Sequence, residues 1–137
     1  LGNILETKHF TINHILSDFY KQAHQCSAKY EEGESEFENV GLTPEFIEDI
    51  KVPFVRESKI KFACELIQKT DIELNGTTLI IGKIIKIVAP DDLIKEDGFI
   101  DLESAGTLTC SGLDSYHTTN KISRLSYAKT NSFPVEI

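Results

Sequence analysis

Two runs decide the fold of this chain. The first is Lys59-Ile60-Lys61-Phe62-Ala63-Cys64-Glu65-Leu66. After a polar interlude comes Ile72-Glu73-Leu74-Asn75-Gly76-Thr77-Thr78-Leu79-Ile80-Ile81-Gly82-Lys83-Ile84-Ile85-Lys86-Ile87-Val88-Ala89. Ile60, Phe62, Cys64 and Leu66 alternate with Lys59, Lys61, Ala63 and Glu65, the period-two pattern of a strand with one buried face. Asn75 and Gly76 both tolerate the positive φ that a two-residue type I′ turn demands. Residues 59–67 and 77–89 are therefore expected to pair as an antiparallel hairpin. The run Leu79-Ile80-Ile81 and Ile84-Ile85 predicts a second strand covered on both faces. A strand from Gly76 to Ala89 would extend about 43 Å at 3.3 Å per residue, too far for a flat sheet in a small domain. The hairpin must coil, and Gly82 leaves room for a bend or for close approach by another backbone. Long, bent, apolar antiparallel strands point to a mainly β fold, a barrel with short flanking helices.

Composition bounds the rest. At 137 residues the chain is read as a single domain, 1–137, large enough to bury a core. Its net charge of −8 argues against a nucleic-acid backbone or an anionic membrane surface as the main partner. The longest apolar run is interrupted by Lys83 and Lys86, so no membrane span is expected. Cys26, Cys64 and Cys110 are widely spaced and odd in number, and the expectation is reduced, buried thiols in a cytoplasmic protein without a leader peptide. Leu1 opens the chain in what reads as the last turns of a helix, so the sequence is expected to be part of a longer protein.

Around the hairpin, residues 1–7 read as a helix tail and His9–Ile15 as a strand with Phe10 and Ile12 on one face. Ser17 is placed to cap a helix whose face carries Leu16, Phe19, Tyr20 and Ala23, ending near Cys26-Ser27. The acidic stretch Tyr30–Asn39 reads as a solvated loop. Thr43 and Pro44 have the cap and first-turn chemistry of a short helix, with Leu42 stapled against Ile47. Pro90 to Ile94 reads as a turn and one helical turn closing near Gly98, and Thr107–Cys110 as a short strand.

No metal motif joins His9, His14, His24 and His117, and neither a nucleophile elbow nor a phosphate-binding glycine loop is present. The densest polar and aromatic cluster is Gly112 to Tyr127. Ser115, Tyr116, His117, Thr118 and Thr119 there carry hydrogen-bonding tips on rigid bodies. They suit either the polar edge of a planar heteroaromatic ligand, with Tyr116 against its face, or a packed surface loop.

The order of several short segments resembles the flavin reductase-like family. These are Ser35-Glu36-Phe37, Gly41-Leu42-Thr43, Val52-Pro53, Glu57-Ser58 before the Cys64 strand, and Leu79-Ile80-Ile81-Gly82-Lys83-Ile84. They continue with Asp97-Gly98-Phe99-Ile100-Asp101, Gly112-Leu113-Asp114-Ser115-Tyr116-His117 and Ser123-Arg124-Leu125-Ser126-Tyr127-Ala128-Lys129. The resemblance implies an antiparallel split β-barrel of the FMN-binding type, usually a homodimer, of which this chain would be the larger, C-terminal part. It implies FMN as cofactor, with flavin reduction by NAD(P)H or flavin-mediated electron transfer. By the same resemblance Ser27, Ala28 and Lys29 lie beside the flavin, Lys29 neutralising its phosphate or reduced ring, and Tyr116 and His117 lie near the cofactor. Catalytic residues stay unassigned, and no metal is implied. The rival readings are a non-catalytic FMN carrier or sensor, and a structural barrel that has lost the cofactor.

Overall fold

The computed structural model describes residues 1–137. The hairpin is its spine: β4 (Lys61–Ile72) pairs antiparallel with β5 (Thr77–Val88), and β1 (His9–Asn13) lies on the other side of β4, giving the order β1-β4-β5. The first arm runs through the polar interlude to Ile72, beyond the expected residue 67. The turn also differs from the two-residue type I′ expected at Asn75-Gly76. Ile72 faces Thr77, so four residues connect the strands, and of these only Gly76 is left-handed, at φ 66°. Asn75 contributes through its side chain instead, its Oδ1 accepting from the Thr77 amide at 3.2 Å and the Thr77 hydroxyl at 2.7 Å.

The hairpin coils by two bulges. The register shifts between Ala63 and Cys64 and again between Leu66 and Gln68, leaving Ile85 as the extra residue on β5 and Ile67 on β4. Gly82 admits a side chain rather than a backbone: a Cβ there would sit 2.5 Å from the tip of the Phe10 ring and 3.1 Å from Cys64 Cβ.

The sheets do not close into a barrel. Beside the three-stranded sheet stand two small pairs, β2 (Pro44–Glu45) with β3 (Phe54–Val55), and β6 (Thr109–Ser111) with β7 (Ser115–His117). The fold is mainly β and antiparallel. Cover on both faces of β5 is also corrected: β5 is an edge strand, and Leu79, Ile81, Ile84 and Ile87 are each about half exposed. A β-branched run carries the same signature whether a neighbour covers it or not.

Four short helices flank the strands: α1 (Gly2–Thr7), α2 (Tyr20–Gln25), α3 (Glu36–Val40) and α4 (Leu102–Ala105). Ser17 does not cap α2. Its hydroxyl donates to Asp18, while the buried Phe19 occupies the position before the helix. The acidic stretch is not all loop: α3 forms there, with Glu36 and Glu38 at its positive end and Gly41 closing it at φ 73°. No helix begins at Pro44. That residue opens β2, where an edge strand tolerates its missing N–H, and Thr43 instead offers its amide to the Glu57 carboxylate at 3.1 Å. Asp101 caps α4 by accepting from the Ser104 amide, and a single 3-10 turn covers Asp91–Leu93.

The core is divided. Leu16, Phe19 and Leu42 gather Ala23, Phe37 and Val55, while Ile60, Leu93 and Ala105 gather Phe62 and Ile100. Ser58 links the two halves, its buried hydroxyl reaching the carbonyls of His14 at 2.8 Å and Ile60 at 2.9 Å. No helix is long and apolar enough to cross a membrane.

Phe10 leaves no room for a side chain at Gly82. Gly82→Ala forces the Phe10 ring aside and lowers stability by about 1–3 kcal/mol, as overpacking does. Adding Phe10→Leu to that variant recovers part of the loss. Urea midpoints of the two variants check this, and a Gly82→Ala protein as stable as wild type refutes the packing.

Candidate functional site

The sequence brings Tyr116 to helix α2 across more than ninety residues. Strand β1 leads into Leu16, which bridges to Thr107, and the Leu108 amide donates to the Ile15 carbonyl at 2.9 Å. This fixes the start of the β6–β7 hairpin beside the start of α2. Cys110 then faces Tyr116 across the hairpin, and Tyr116 leans onto the helix. Tyr20 and His24 lie four residues apart, hence on one helical face. The Tyr116 ring meets Tyr20 at 5.5 Å with a 58° tilt, and His24 edge-on at 5.8 Å. The Tyr116 hydroxyl and His24 Nδ1 are 3.1 Å apart, within hydrogen-bonding distance.

Three open clefts share Tyr116. One, of about 340 Å³, is lined by Tyr20, Lys21, His24, Gln25 and Asp114. Another, of about 220 Å³, adds Ser17, Leu108, His117 and Thr118, and a third, of about 280 Å³, runs past Asn13, His14, Thr107 and Cys110. Together they offer aromatic faces with hydroxyl and imidazole edges, the chemistry that receives a planar polar ligand.

Of the residues singled out in the sequence, Tyr116 is half-buried at this junction and His117 is exposed beside it, its Nε2 2.9 Å from the Ser111 hydroxyl. Ser27, Ala28 and Lys29 follow directly on α2 and are exposed. The Ser27 hydroxyl donates to the His24 carbonyl at 2.7 Å, tying that segment to the helix end that Tyr116 touches. Lys29 takes part in none of the five ion pairs and lines none of the Tyr116 clefts. Tyr20 and His24 were missed as site residues. Their i, i+4 spacing on the helix was the available signal.

Burial holds the His14 imidazole below its usual value, and its Nδ1 lies 3.2 Å from the Thr107 hydroxyl. Cys26 and Cys64 are both pushed up by burial, Cys26 also by Glu36 nearby, so neither is an activated nucleophile. Cys110 is exposed, against the expectation of three buried thiols. No group of three or more His, Cys, Asp or Glu side chains is placed to hold a metal ion.

Residues 1–106 match the family model of the flavin reductase like domain. An uncharacterised protein of Aquifex aeolicus (strain VF5) is 27% identical over 101 residues, which is 74% of this chain and 50% of that protein. Among solved structures, one assigned as a flavin reductase with a split barrel domain, from Shewanella frigidimarina NCIMB 400, is 46% identical. It aligns with a TM-score of 0.89 over 93% of this chain and 64% of its own. The FMN-binding domain of a flavin reductases-like enzyme from Shewanella baltica OS155 is 18% identical, with a TM-score of 0.67 over 92% of this chain and 65% of its own, a likeness of fold. The chain thus spans half the length of the curated relative and under two thirds of these structures.

His14 makes the stability of the fold depend on pH. A histidine depressed in the folded state leaves the unfolded chain to take the proton first, so stability is full above about pH 6.5 and falls as pH drops through and below that value. For Glu57, burial raises the carboxyl, but hydrogen bonds from Thr43 and its own backbone, with Arg56, outweigh it and hold it low. Its contribution is present above about pH 4.5 and lost below. His14→Gln is expected to flatten the fall in urea midpoint between pH 7.5 and 5.5 while leaving the loss below pH 4.5 in place. An unchanged slope in the upper window refutes the assignment.

Proposed function

The chain belongs to the flavin reductase-like family, and on that premise we propose that the protein binds FMN and uses it for NAD(P)H-dependent flavin reduction or electron transfer. The observation that supports this reading is the meeting of Tyr116 with Tyr20 and His24 on one face of α2. The two segments that the resemblance implies lie beside the flavin, Ser27-Ala28-Lys29 and Tyr116-His117, are each joined to His24 by one residue. The Ser27 hydroxyl donates to the His24 backbone carbonyl, and the Tyr116 hydroxyl lies 3.1 Å from His24 Nδ1.

The residues fit such a group. Tyr116 and Tyr20 supply ring faces, and His117 and Thr118 supply polar tips beside them. The exposed Lys29 supplies a cation in a chain of net charge −8, for the phosphate or the anionic ring. When bound, FMN would supply the ring that accepts hydride; the protein's part is position and electrostatics rather than a nucleophile. A homodimer is part of the proposal, as is a cytoplasmic setting, for which the acidic surface is suited.

Titrating the apo form of the intact protein with FMN, followed by flavin fluorescence quenching, tests the site. Loss of a charge-assisted hydrogen bond costs about 1.5–3 kcal/mol, so Lys29→Ala is expected to weaken binding roughly ten- to a hundredfold. His117→Ala removes at most a neutral hydrogen bond and some stacking, about tenfold or less. Lys51→Ala, an exposed control that lines none of the Tyr116 clefts, leaves affinity unchanged. Equal affinities for the Lys29 and Lys51 variants end the assignment. A purified protein without flavin absorbance, and with no affinity for FMN, ends the functional reading itself.

A further inference from the structure

The β6–β7 hairpin reaches α2 through one side chain. Its ring contacts with Tyr20 and His24, and its one hydrogen bond to that helix, are all made by Tyr116. A tyrosine turns about two bonds, and on a strand with exposed neighbours more than one staggered position of the first is open to it. Two partners on α2 narrow that choice. The Tyr20 ring leans on Tyr116 at 5.5 Å, and His24 Nδ1 holds its hydroxyl at 3.1 Å. The helix is itself seated, because Phe19 is buried just before it and Ala23 packs on the same cluster. His24, one residue on, therefore grips Tyr116 from a fixed element.

The hydrogen bond also has a direction. A phenol is a better donor than an imidazole N–H, and an unprotonated imidazole nitrogen is a better acceptor than a phenol oxygen. With an uncharged imidazole the stronger pairing is therefore O–H···Nδ1, which leaves the ring proton on Nε2. Tyr116 has one hydroxyl proton, and His24 takes it. What the hydroxyl can still offer is a lone pair. Tyr116 and His24 line the same cleft of about 340 Å³, together with Tyr20, Lys21 and Asp114. A planar ligand there meets an acceptor at this hydroxyl, suited to a ring N–H and unsuited to a carbonyl.

We propose that His24 is a positioning residue for the flavin. It holds the Tyr116 ring against α2 and commits the hydroxyl proton, so that the tyrosine presents its oxygen to the ligand. This rests on the flavin reading above and names a residue that neither the sequence nor the resemblance singled out. His24 acts through Tyr116 and has no need to touch the ligand. Substitutions can separate the two roles. Asparagine at position 24 brings an amide oxygen close to the place of Nδ1, whereas phenylalanine keeps a ring and removes the acceptor.

A double-mutant cycle on the intact protein, read by FMN titration with flavin fluorescence quenching, tests the coupling. His24→Phe is expected to weaken FMN binding about three- to tenfold, the worth of one ordinary hydrogen bond. In a Tyr116→Phe background the same substitution is expected to cost nothing further, and His24→Asn is expected to recover most of the affinity. An equal cost in both backgrounds overturns the proposal, because His24 would then act without the tyrosine. No cost in the wild-type background overturns it as well. A second measurement needs no flavin. In the apo protein labelled with ¹⁵N-histidine, Tyr116→Phe is expected to move the His24 Nδ1 resonance, and an unmoved resonance refutes the hydrogen bond itself. A wild type with no affinity for FMN ends the flavin reading and this proposal together. Additive effects in a protein that does bind FMN end this proposal alone.

Discussion

The ammonium of Lys61 is the constraint from which the arrangement of this domain follows. It sits at the start of β4, nearly buried, in a place where an isolated charge would cost several kcal/mol. That cost is offset because acceptors surround it: Glu45 Oε2 at 2.5 Å, the Val55 carbonyl at 3.1 Å and the Arg56 carbonyl at 3.5 Å. Those acceptors lie on β2, on β3 and in the turn just after β3. The lysine therefore dictates where the β2–β3 pair must sit against the hairpin, and a two-residue strand such as Pro44–Glu45 needs such an anchor. Val55 in turn packs into the cluster of Leu16, Phe19 and Leu42 that supports α2. The position of Tyr20 and His24 is thus inherited from a buried charge two elements away.

The same dependence explains what the sequence did and did not make legible. The hairpin was legible because alternation on β4 is a local property, and so was β1, whose Phe10 and Ile12 pair with Cys64 and Phe62. The turn type was misjudged because Asn75-Gly76 satisfies a two-residue turn and a four-residue one equally well. Where Thr43-Pro44 was read as a helix start, the deciding force was the ion pair of Glu45 with Lys61, sixteen residues on and invisible to local propensity. One turn of helix at Glu36–Val40 was hidden by its own acidic residues, which stabilise its N-terminus as readily as they solvate a loop. Barrel closure failed for a related reason. Apolar patterning reports that a strand face seeks cover and carries no information on which segment supplies it.

For the candidate site, the sequence offered Tyr116 and His117 as a polar cluster, with no indication of which element they would meet. The contact with His24 spans 92 residues and depends on the Leu16–Thr107 bridge, which has no sequence signature. Lys29 is different again. It was singled out by resemblance, and its exposed position after α2 offers a charge without a partner, which is also how an ordinary surface lysine looks.

The two halves of the site are held with unequal firmness. Helix α2 is seated on a buried cluster through Phe19 and Ala23, whereas β6 and β7 are three residues each and stand mostly exposed, with Tyr116 as their one half-buried side chain. Segments with few buried contacts and solvent-exposed hydrogen bonds open at lower free energy than the core. A ligand touching both halves would therefore order the hairpin onto the helix, and part of its binding energy would be offset by that ordering. The Tyr116–His24 hydrogen bond reduces the offset, because it already holds the hairpin against α2 before any ligand arrives. His24 thus acts through the tyrosine it restrains, and the contact least legible in the sequence is the one that already joins the two halves of the candidate site.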